Sequence, residues 1–429
     1  MVWKPLRHAR RAGSTDLLTR ASQLRTPLVT RCVNDYLAGR RPPLAADAAA
    51  ASPATSLPAA GERVVVGLSG GVDSAVAALL LRDAGYEVHG LFMANWDEDD
   101  AYCTTARDYQ DARGVAAELG IVLHWVNFSE QYRQRVFQHF LAEYRAGRTP
   151  NPDVLCNREI KFGLCLQYAL RLGARYFATG HYARRLDAAD GPALHQATDA
   201  GKDQSYFLHA IERQRLSRVL FPLGALHKSE VRERARRAGL RVYAKPDSTG
   251  ICFIGERPFA QFLGRYLPAS PGPIETADGR RLGEHRGLPF YTLGQRTGLA
   301  VGGMRGCATE PWYVAGKAPE RNALIVVQRQ DQWRLEANVV HVGPINWLCT
   351  GRAGRFSALV KLRYRQPSQP ARVCITADGG ATLEFETAQR AATPGQYAVL
   401  YEDGRCLGGG VIETVSVPMA GAVRTERAS

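Results

Sequence analysis

The chain has 429 residues, of which 45% are hydrophobic and 22% charged, and its formal net charge is +14. This length suits two or three domains, and the lack of an apolar run long enough to cross a bilayer argues against an integral membrane protein. The positive charge favours a polyanionic partner such as RNA, although many basic proteins bind no nucleic acid.

Nine cysteines occur at irregular spacing, and none forms a C-x-x-C pair. This pattern disfavours a zinc ribbon and a secreted disulfide framework, so we expect a reducing compartment such as the cytoplasm. It offers no standard ligand set for an iron–sulfur cluster, and that cofactor is kept only as an alternative.

The first 60 residues differ from the rest of the chain. They contain nine Lys or Arg and three Asp but no Glu, and residues 45–60 are of low complexity. We predict a disordered basic leader over residues 1–60. We favour a tail added by an upstream translation start; the alternative is an organellar transit peptide, which would make the protein mitochondrial.

Strands and helices are predicted to alternate over residues 61–268. Apolar runs typical of buried parallel strands occur at residues 63–68, 86–93, 121–127 and 176–179. Helical patterns occur between them, at residues 75–83, 109–119, 132–146 and 160–172. The alternation predicts an α/β domain with a doubly wound, Rossmann-like parallel sheet.

Glycine and proline become frequent after residue 268, and strands are predicted at residues 323–328, 358–364, 371–376 and 397–401. We expect a small central domain over residues 269–335, a β-barrel over 336–418 and a tail over 419–429. Strand alternation would place Lys361, Arg363 and Arg365 on one face, which suits an RNA backbone; a charged edge strand is the alternative. A basic helix at 229–239, preceded by Lys228, is a second candidate RNA surface.

A glycine-rich turn joins the first predicted strand to the first helix. Its residues are Gly67, Leu68, Ser69, Gly70, Gly71, Val72, Asp73 and Ser74. Glycines let the backbone approach an anion, and the helix N-terminus adds positive potential. The turn contains no lysine, so it is not a Walker A motif. It resembles the PP-loop of ATP pyrophosphatases, which implies that it binds ATP phosphates and that Asp73 helps to place Mg²⁺; a turn without a ligand is the alternative.

Two cysteines lie in distinctive settings. Cys156 follows a proline-rich loop, where Asp153 is predicted as the N-cap of a helix. Cys156 would then lie in the first turn, where the helix dipole and the neighbouring cations favour thiolate while Asp153 opposes it. Cys252 lies beside Gly250, which could allow an exposed turn. For both residues an inert, buried cysteine is the alternative.

Six motifs together point to one family. In chain order they read G-L-S-G-G-V-D-S, L-F-M-A-N-W, N-P-D-V-L-C-N, A-T-G-H-Y-A-R, G-K-D-Q-S-Y-F-L and S-T-G-I-C-F-I-G-E-R. In length and order they resemble the tRNA-specific 2-thiouridylases, the MnmA family. The resemblance runs from about Val64 into the C-terminal domain.

The resemblance implies a role for each matching residue. The loop from Gly67 to Ser74, Met93 and Gly180 would bind ATP. The target uridine would contact Asn151, Pro152 and Asp153, with Asp153 counted among the catalytic residues. Cys156 matches the nucleophile and Cys252 the persulfide carrier. Contacts with tRNA are implied for Lys202, Asp203, Gln204, Arg363 and Tyr364. No residues are assigned to a resident metal.

The implied reaction is adenylation of the C2 oxygen of the wobble uridine in tRNAs for Lys, Glu and Gln, followed by sulfur transfer from a persulfide on Cys252. Its partners would be the tRNA anticodon stem-loop and a sulfur-donor protein, either a relay protein or a cysteine desulfurase. Direct attack by the persulfide and release of sulfide both remain open. The alternatives are another PP-loop adenylating enzyme, of lysidine synthetase or amidotransferase type, and a non-catalytic RNA-binding protein.

Overall fold

The structure is a computed structural model that describes residues 61–96, 105–247, 259–301 and 310–416. The predicted leader and Cys252 lie outside these residues. No helix within the described ranges is both long and apolar enough to span a membrane.

The first domain is built on a parallel sheet whose strand order is β3-β2-β1-β4-β7. Its central strand, β1, contains three consecutive valines that are fully buried, as expected for a strand covered on both faces. The predicted doubly wound α/β fold is therefore confirmed. The strands of this domain, including one antiparallel hairpin (β5–β6), are β1 (Arg63–Gly67), β2 (Glu87–Ala94), β3 (Val122–Asn127), β4 (Tyr176–Ala178), β5 (Arg184–Ala188), β6 (Gly191–His195) and β7 (Val219–Leu220).

Helices cover the sheet and connect its strands. Two of them are longer than the sequence pattern predicts. The first runs without a break over residues 129–145, and the second over residues 152–171 with a wide, π-helical middle at Cys156–Cys165. The helices are α1 (Val72–Asp83), α2 (Thr105–Leu119), α3 (129–145), α4 (152–171), α5 (Ser205–Leu208), α6 (Lys228–Arg237) and α7 (Phe259–Leu263).

A small sheet of four strands follows the first domain. Its order is β10-β11-β8-β9, and β8 and β11 pair in parallel while the other pairs are antiparallel. The strands are β8 (Gly272–Thr276), β9 (Arg281–His285), β10 (Tyr313–Ala318) and β11 (Ala323–Val327). This sheet forms the central domain.

Six antiparallel strands then close into a barrel. The ring runs β12-β16-β15-β14-β17-β18 and returns to β12, because β18 pairs with both β17 and β12. Closure leaves no free edge in the ring, and it confirms the predicted C-terminal barrel. The strands are β12 (Glu336–Val342), β13 (Asn346–Trp347, which pairs with β18), β14 (Arg355–Lys361), β15 (Gln369–Ile375), β16 (Ala381–Arg390), β17 (Tyr397–Glu402) and β18 (Arg405–Ser416).

One predicted feature of the barrel is wrong. Strand β14 ends at Lys361, so Lys361, Arg363 and Arg365 do not line one strand face. The ammonium group of Lys361 is largely buried, 3.6 Å from Asp203, and lies over the ring of Tyr401. Backbone pairing of β14 stops at Lys361, so the alternation of side chains between two faces does not continue to Arg363 and Arg365.

The barrel also packs directly on the first domain. Its strand β18 pairs with the β5–β6 hairpin through Arg405 and His195. Tyr206 of α5 is fully buried and donates a hydrogen bond to the Tyr397 carbonyl at 3.1 Å. The contact is thus made of both backbone pairing and buried aromatic side chains.

Candidate active site

The glycine-rich loop leaves β1 at the carboxyl edge of the parallel sheet. Gly70 has a φ of +75°, a left-handed conformation that glycine adopts without strain. The Ser74 hydroxyl accepts from the Ser69 N–H at 3.2 Å and donates to the Gly71 carbonyl at 3.0 Å. Gly71 is the N-cap of α1 and has no side chain to satisfy the first N–H groups of that helix. An anion could therefore bind there.

Gly180 follows β4 and touches the start of α1. A Cβ atom at this position would lie 2.7 Å from the Ser74 amide nitrogen, so a larger residue would displace the loop. Gly180 therefore lies against the phosphate loop, and its place in the nucleotide pocket stays a prediction. Its neighbour His181 is buried and hydrogen-bonds Thr179 at 2.8 Å. Burial lowers the pKa of His181 well below its usual value, and the charge of Lys161 adds to the effect.

Cations absent from the loop itself come from a distant helix. The Lys228 ammonium group, at the start of α6, contacts both carboxylate oxygens of Asp73 at 2.7 and 2.8 Å. It also lies 2.8 Å from Asp247, which pairs in turn with Lys202 and Arg232 at 2.8 Å each. Although burial opposes ionisation, hydrogen bonds from Lys202 and Lys228 lower the pKa of Asp247 to about 2.

A second lysine holds the loop from another side. The ammonium group of Lys245 donates to the Gly70 carbonyl at 3.1 Å and to Asp108 and Asp111 of α2 at 2.8 and 2.5 Å. Burial disfavours its charge, but the two carboxylates raise its pKa. The short segment of residues 245–247 is thus linked to the loop directly at Gly70, through Lys245, and indirectly at Asp73, through Asp247 and Lys228.

Met93 lies near the end of β2, on the same carboxyl edge of the sheet as the loop. Its sulfur is 3.3 Å from the Cys165 thiol on α4. Burial raises the pKa of Cys165 to about 12, although the charge of Lys161 acts in the opposite direction. The raised pKa favours the thiol form of Cys165 over the thiolate, so Cys165 is not a candidate nucleophile.

The first residues of α4 carry the predicted uridine-contacting segment. Asn151, and not Asp153, is the N-cap: its side-chain oxygen accepts the Asp153 N–H at 3.2 Å, and Pro152 opens the helix. The predicted cap was wrong because an Asn precedes the proline and Asp153 is already helical. Burial raises the pKa of Asp153 despite the charge of Lys161. Its carboxyl group therefore favours the protonated form more than an exposed aspartate does.

Cys156 is 1% exposed and begins the π-helical part of α4. Because the helix starts at Pro152, Cys156 is its fifth residue, one step beyond the first turn in which we predicted it. The pull of the helix N-terminus on a thiolate is weaker there. Its proposed partner, Cys252, lies outside the described residues.

The segment Lys202–Asp203–Gln204 is joined to the phosphate loop. Gln204 exchanges hydrogen bonds with the backbone of Tyr182, whose hydroxyl donates to Asp73 at 2.9 Å. Asp203 is buried and accepts from the Ala197 and Ser205 N–H groups at 3.0 and 3.2 Å. Lys202 and Gln204 are partly exposed whereas Asp203 is buried, and contact of this segment with tRNA stays a prediction.

Arg363 and Tyr364 are only partly accessible. The Arg363 guanidinium donates to the Leu293 and Ala391 carbonyls and to the Thr393 hydroxyl, at 3.2, 2.7 and 2.9 Å. It therefore joins the central domain to the barrel. The Tyr364 ring packs on Phe207 of α5, with 4.4 Å between ring centres. Their contact with tRNA also stays a prediction.

A cavity of about 410 Å³ borders the start of α4 on the barrel side. Asn151 and Leu155 form one wall, and Tyr397 of the barrel forms another. Glu143 and Arg148 form a salt bridge at its rim, with the Arg148 Nε 2.7 Å from the carboxylate. Its size suits a nucleotide-sized group.

This fold and this loop define an α/β nucleotide-binding protein of the HUP class, joined to two β domains. Family models match in the same order: a tRNA methyl transferase HUP domain over residues 62–256, a tRNA methyl transferase PRC-barrel domain over 260–328 and an aminomethyltransferase β-barrel domain over 338–412. The chain belongs to the tRNA-specific 2-thiouridylase MnmA family.

The match to relatives of that name covers nearly the whole length of each relative. The chain is 54% identical to the MnmA proteins of Marinobacter nauticus and Alcanivorax borkumensis, over 82% of this chain and 91% and 97% of theirs. It is 55% identical to that of Bordetella avium, over 82% of this chain and 97% of the relative. A solved 4-thiouridine synthetase–RNA complex with bound ATP aligns at a TM-score of 0.31 and 20% identity over 48% of this chain and 50% of its own, too low to inform the function.

Proposed function

We propose that this protein is a tRNA-uridine 2-sulfurtransferase that uses ATP to exchange the C2 oxygen of the wobble uridine for sulfur. The observation that carries the proposal is that α4, whose start bears Asn151, Asp153 and Cys156, contacts Met93 through Cys165 on the sheet edge that also carries the uncapped, glycine-rich loop, in a chain of the MnmA family. The substrates would be tRNAs for Lys, Glu and Gln, and the reducing cytoplasm is the expected compartment.

The phosphate loop and Lys228 would bind the triphosphate of ATP. The loop supplies N–H groups, and Lys228 supplies a positive charge, which the loop sequence itself lacks. Asp73 would hold Mg²⁺, which neutralises phosphate charge when bound. Within the described ranges no group of three or more His, Cys, Asp or Glu could hold a metal ion. A Mg²⁺ ion at this loop would be ligated mainly by phosphate and water.

Adenylation explains why such a reaction needs ATP. The uridine O2 attacks the α-phosphorus, pyrophosphate leaves, and the poor leaving group becomes AMP. Asp153, whose pKa is raised by burial of its carboxyl group, would hydrogen-bond the ring and fix its orientation. The cavity beside Asn151 would accept the part of the anticodon loop next to the target base.

Sulfur transfer would use the two cysteines in turn. A donor protein loads a persulfide on Cys252, and its terminal sulfur adds to C2 as AMP departs. The Cys156 thiolate then attacks the Cys252 sulfur, which breaks the S–S bond to the transferred atom and leaves a Cys156–Cys252 disulfide. Release of free sulfide before attack would give the same products, and a reductant restores the thiols.

The test is ATP-dependent thiolation of unmodified tRNA with a labelled persulfide donor. Cys156→Ser should load label on Cys252 and make no 2-thiouridine, whereas Cys252→Ser should not load productively. Cys374→Ser is the matched control, because that half-buried thiol lies in the barrel. The proposed roles would be contradicted if Cys156→Ser made 2-thiouridine at the wild-type rate. They would also be contradicted if, in a protein that retains Cys156, the label accumulated on Cys156 in place of Cys252.

A further inference from the structure

Residues 146–151 connect α3 to α4 and so decide where α4 begins. This connector ends in Asn151, the N-cap that fixes the first turn of α4 and therefore the positions of Asp153 and Cys156. The connector is hydrogen-bonded to the end of α3, and four further hydrogen bonds reach it from the other two domains.

The C-terminal barrel holds the connector at Thr149. The Thr149 N–H donates to the Pro394 carbonyl at 3.0 Å, and the Gln396 side chain donates to the Thr149 carbonyl at 2.7 Å. Both backbone groups of Thr149 are thus satisfied by the barrel. This leaves Thr149 little freedom to rotate.

The central domain holds the same connector from another side. The Lys317 ammonium group, on β10, donates to the Gly147 carbonyl at 3.0 Å, and the Thr292 hydroxyl shares a hydrogen bond with that of Thr149 at 3.3 Å. Burial lowers the pKa of Lys317 to about 8, which means that the charged form of this amine is destabilised at its buried position. Gly147 lies just beyond the end of α3, where carbonyl groups without a helical partner attract a cation.

We propose that Lys317 is a positioning residue for the reaction: from the central domain it fixes the connector, and with it the base-contacting start of α4. The inference rests on the proposed function for its catalytic consequence. It assigns the central domain a task, since that domain supplies none of the residues expected to touch ATP, the base or sulfur.

The test compares Lys317→Met, Lys317→Arg and Thr292→Val with wild type. Lys317→Met should lower kcat for tRNA-dependent pyrophosphate release at least tenfold, with the KM for tRNA and the Kd for ATP within threefold of wild type. Arginine can donate to the same carbonyl, so Lys317→Arg should recover most of the rate. Thr292→Val should have a smaller effect in the same direction. Arg281→Met, at an exposed position of β9 in the same domain, is the control and should match wild type.

Hydrogen–deuterium exchange separates this inference from the proposed function. Lys317→Met should speed exchange in residues 146–156 but not in the phosphate loop and α1, whether or not the protein is active. If the wild type is inactive and Lys317→Met still shows this faster exchange, the proposed function is rejected and the positioning role stands. Unchanged exchange and rate in Lys317→Met would overturn the inference. If that variant does not fold, unchanged behaviour of Thr292→Val would also overturn it.

Discussion

Asp73 is held by two groups that reach it from distant parts of the first domain. Lys228 pairs with its carboxylate, and the Tyr182 hydroxyl donates to it at 2.9 Å. Burial raises the pKa of Tyr182, and the nearby Asp73 charge adds to this, so the phenol remains a donor. In the proposed reaction, Lys228 would move from Asp73 to the bound triphosphate, and Asp73 would then be available to the cation.

We expect Lys228→Met to raise the Kd for ATP about 10- to 100-fold, since a charge-assisted hydrogen bond contributes roughly 1.5–3 kcal/mol. Arg236→Met on the same helix is the control, because Arg236 is exposed and pairs only with Glu233 among the described residues. The Kd is measured by titration with a fluorescent ATP analogue. A value within twofold of wild type for Lys228→Met would exclude Lys228 from the phosphate site.

Arg363 shows how a side chain can match a family motif and still have a structural role. Burial lowers its pKa, and its guanidinium satisfies two carbonyl groups and a hydroxyl between two domains. Charge reversal at Arg363 would therefore disturb that junction. A loss of tRNA affinity in such a variant would report the altered fold as much as a lost phosphate contact.

At the scale of elements, α4 was only partly predictable. Apolar periodicity correctly indicates a helix in its second half, but the ten-residue π-helical stretch has no such signature, because it depends on how α4 packs. The N-cap was misassigned for a local reason, since Asn and Asp flank the same proline. Both features lie at or near Cys156, so the sequence could name this residue as a candidate but could not predict its position in the helix.

The β5–β6 hairpin depends on Asp190 at its tip. Its carboxylate accepts the Thr350 N–H at 2.9 Å and pairs with Arg405 at 2.7 Å, and these contacts lower its pKa to about 2. We expect Asp190→Ala to destabilise the fold by about 1–3 kcal/mol in urea denaturation. Asp187→Ala, on the same hairpin, should have little effect, since its pairing with Arg185 is long and exposed. Equal midpoints for the two variants would mean that strand pairing alone holds the hairpin.

At the scale of the whole molecule, stability should respond to the titration of Lys317. Its pKa is about 8 in the folded protein and near 10.5 when unfolded. Between these values the unfolded chain binds more protons, so this group makes stability rise with pH, by at most about 3 kcal/mol. The difference in unfolding free energy between wild type and Lys317→Met, measured from pH 7.5 to 10, should therefore shift in favour of wild type. A constant difference would show that Lys317 titrates normally.

The order of the three domains could be predicted from the sequence, because strand–helix alternation and glycine-rich strand patterns are local signals. Contacts between domains could not. Lys317 and Gly147 are 170 residues apart, and Lys228 and Asp73 are 155 apart. Nothing in either local pattern indicates its partner. The ionic groups that complete the loop and hold the connector therefore appear only once the chain is folded.

The buried contact between α5 and the barrel limits how this protein can be divided. Tyr206 and Tyr401 are both fully buried, and the Ser205 hydroxyl lies 3.1 Å from that of Tyr401. A recombinant fragment that stopped after the central domain would lack Tyr401, expose the ring of Tyr206 and leave β6 of the hairpin without its barrel partner, and such exposed groups promote aggregation. Soluble expression of the nucleotide-binding domain for crystallography or inhibitor screening should consequently require the barrel in the same polypeptide.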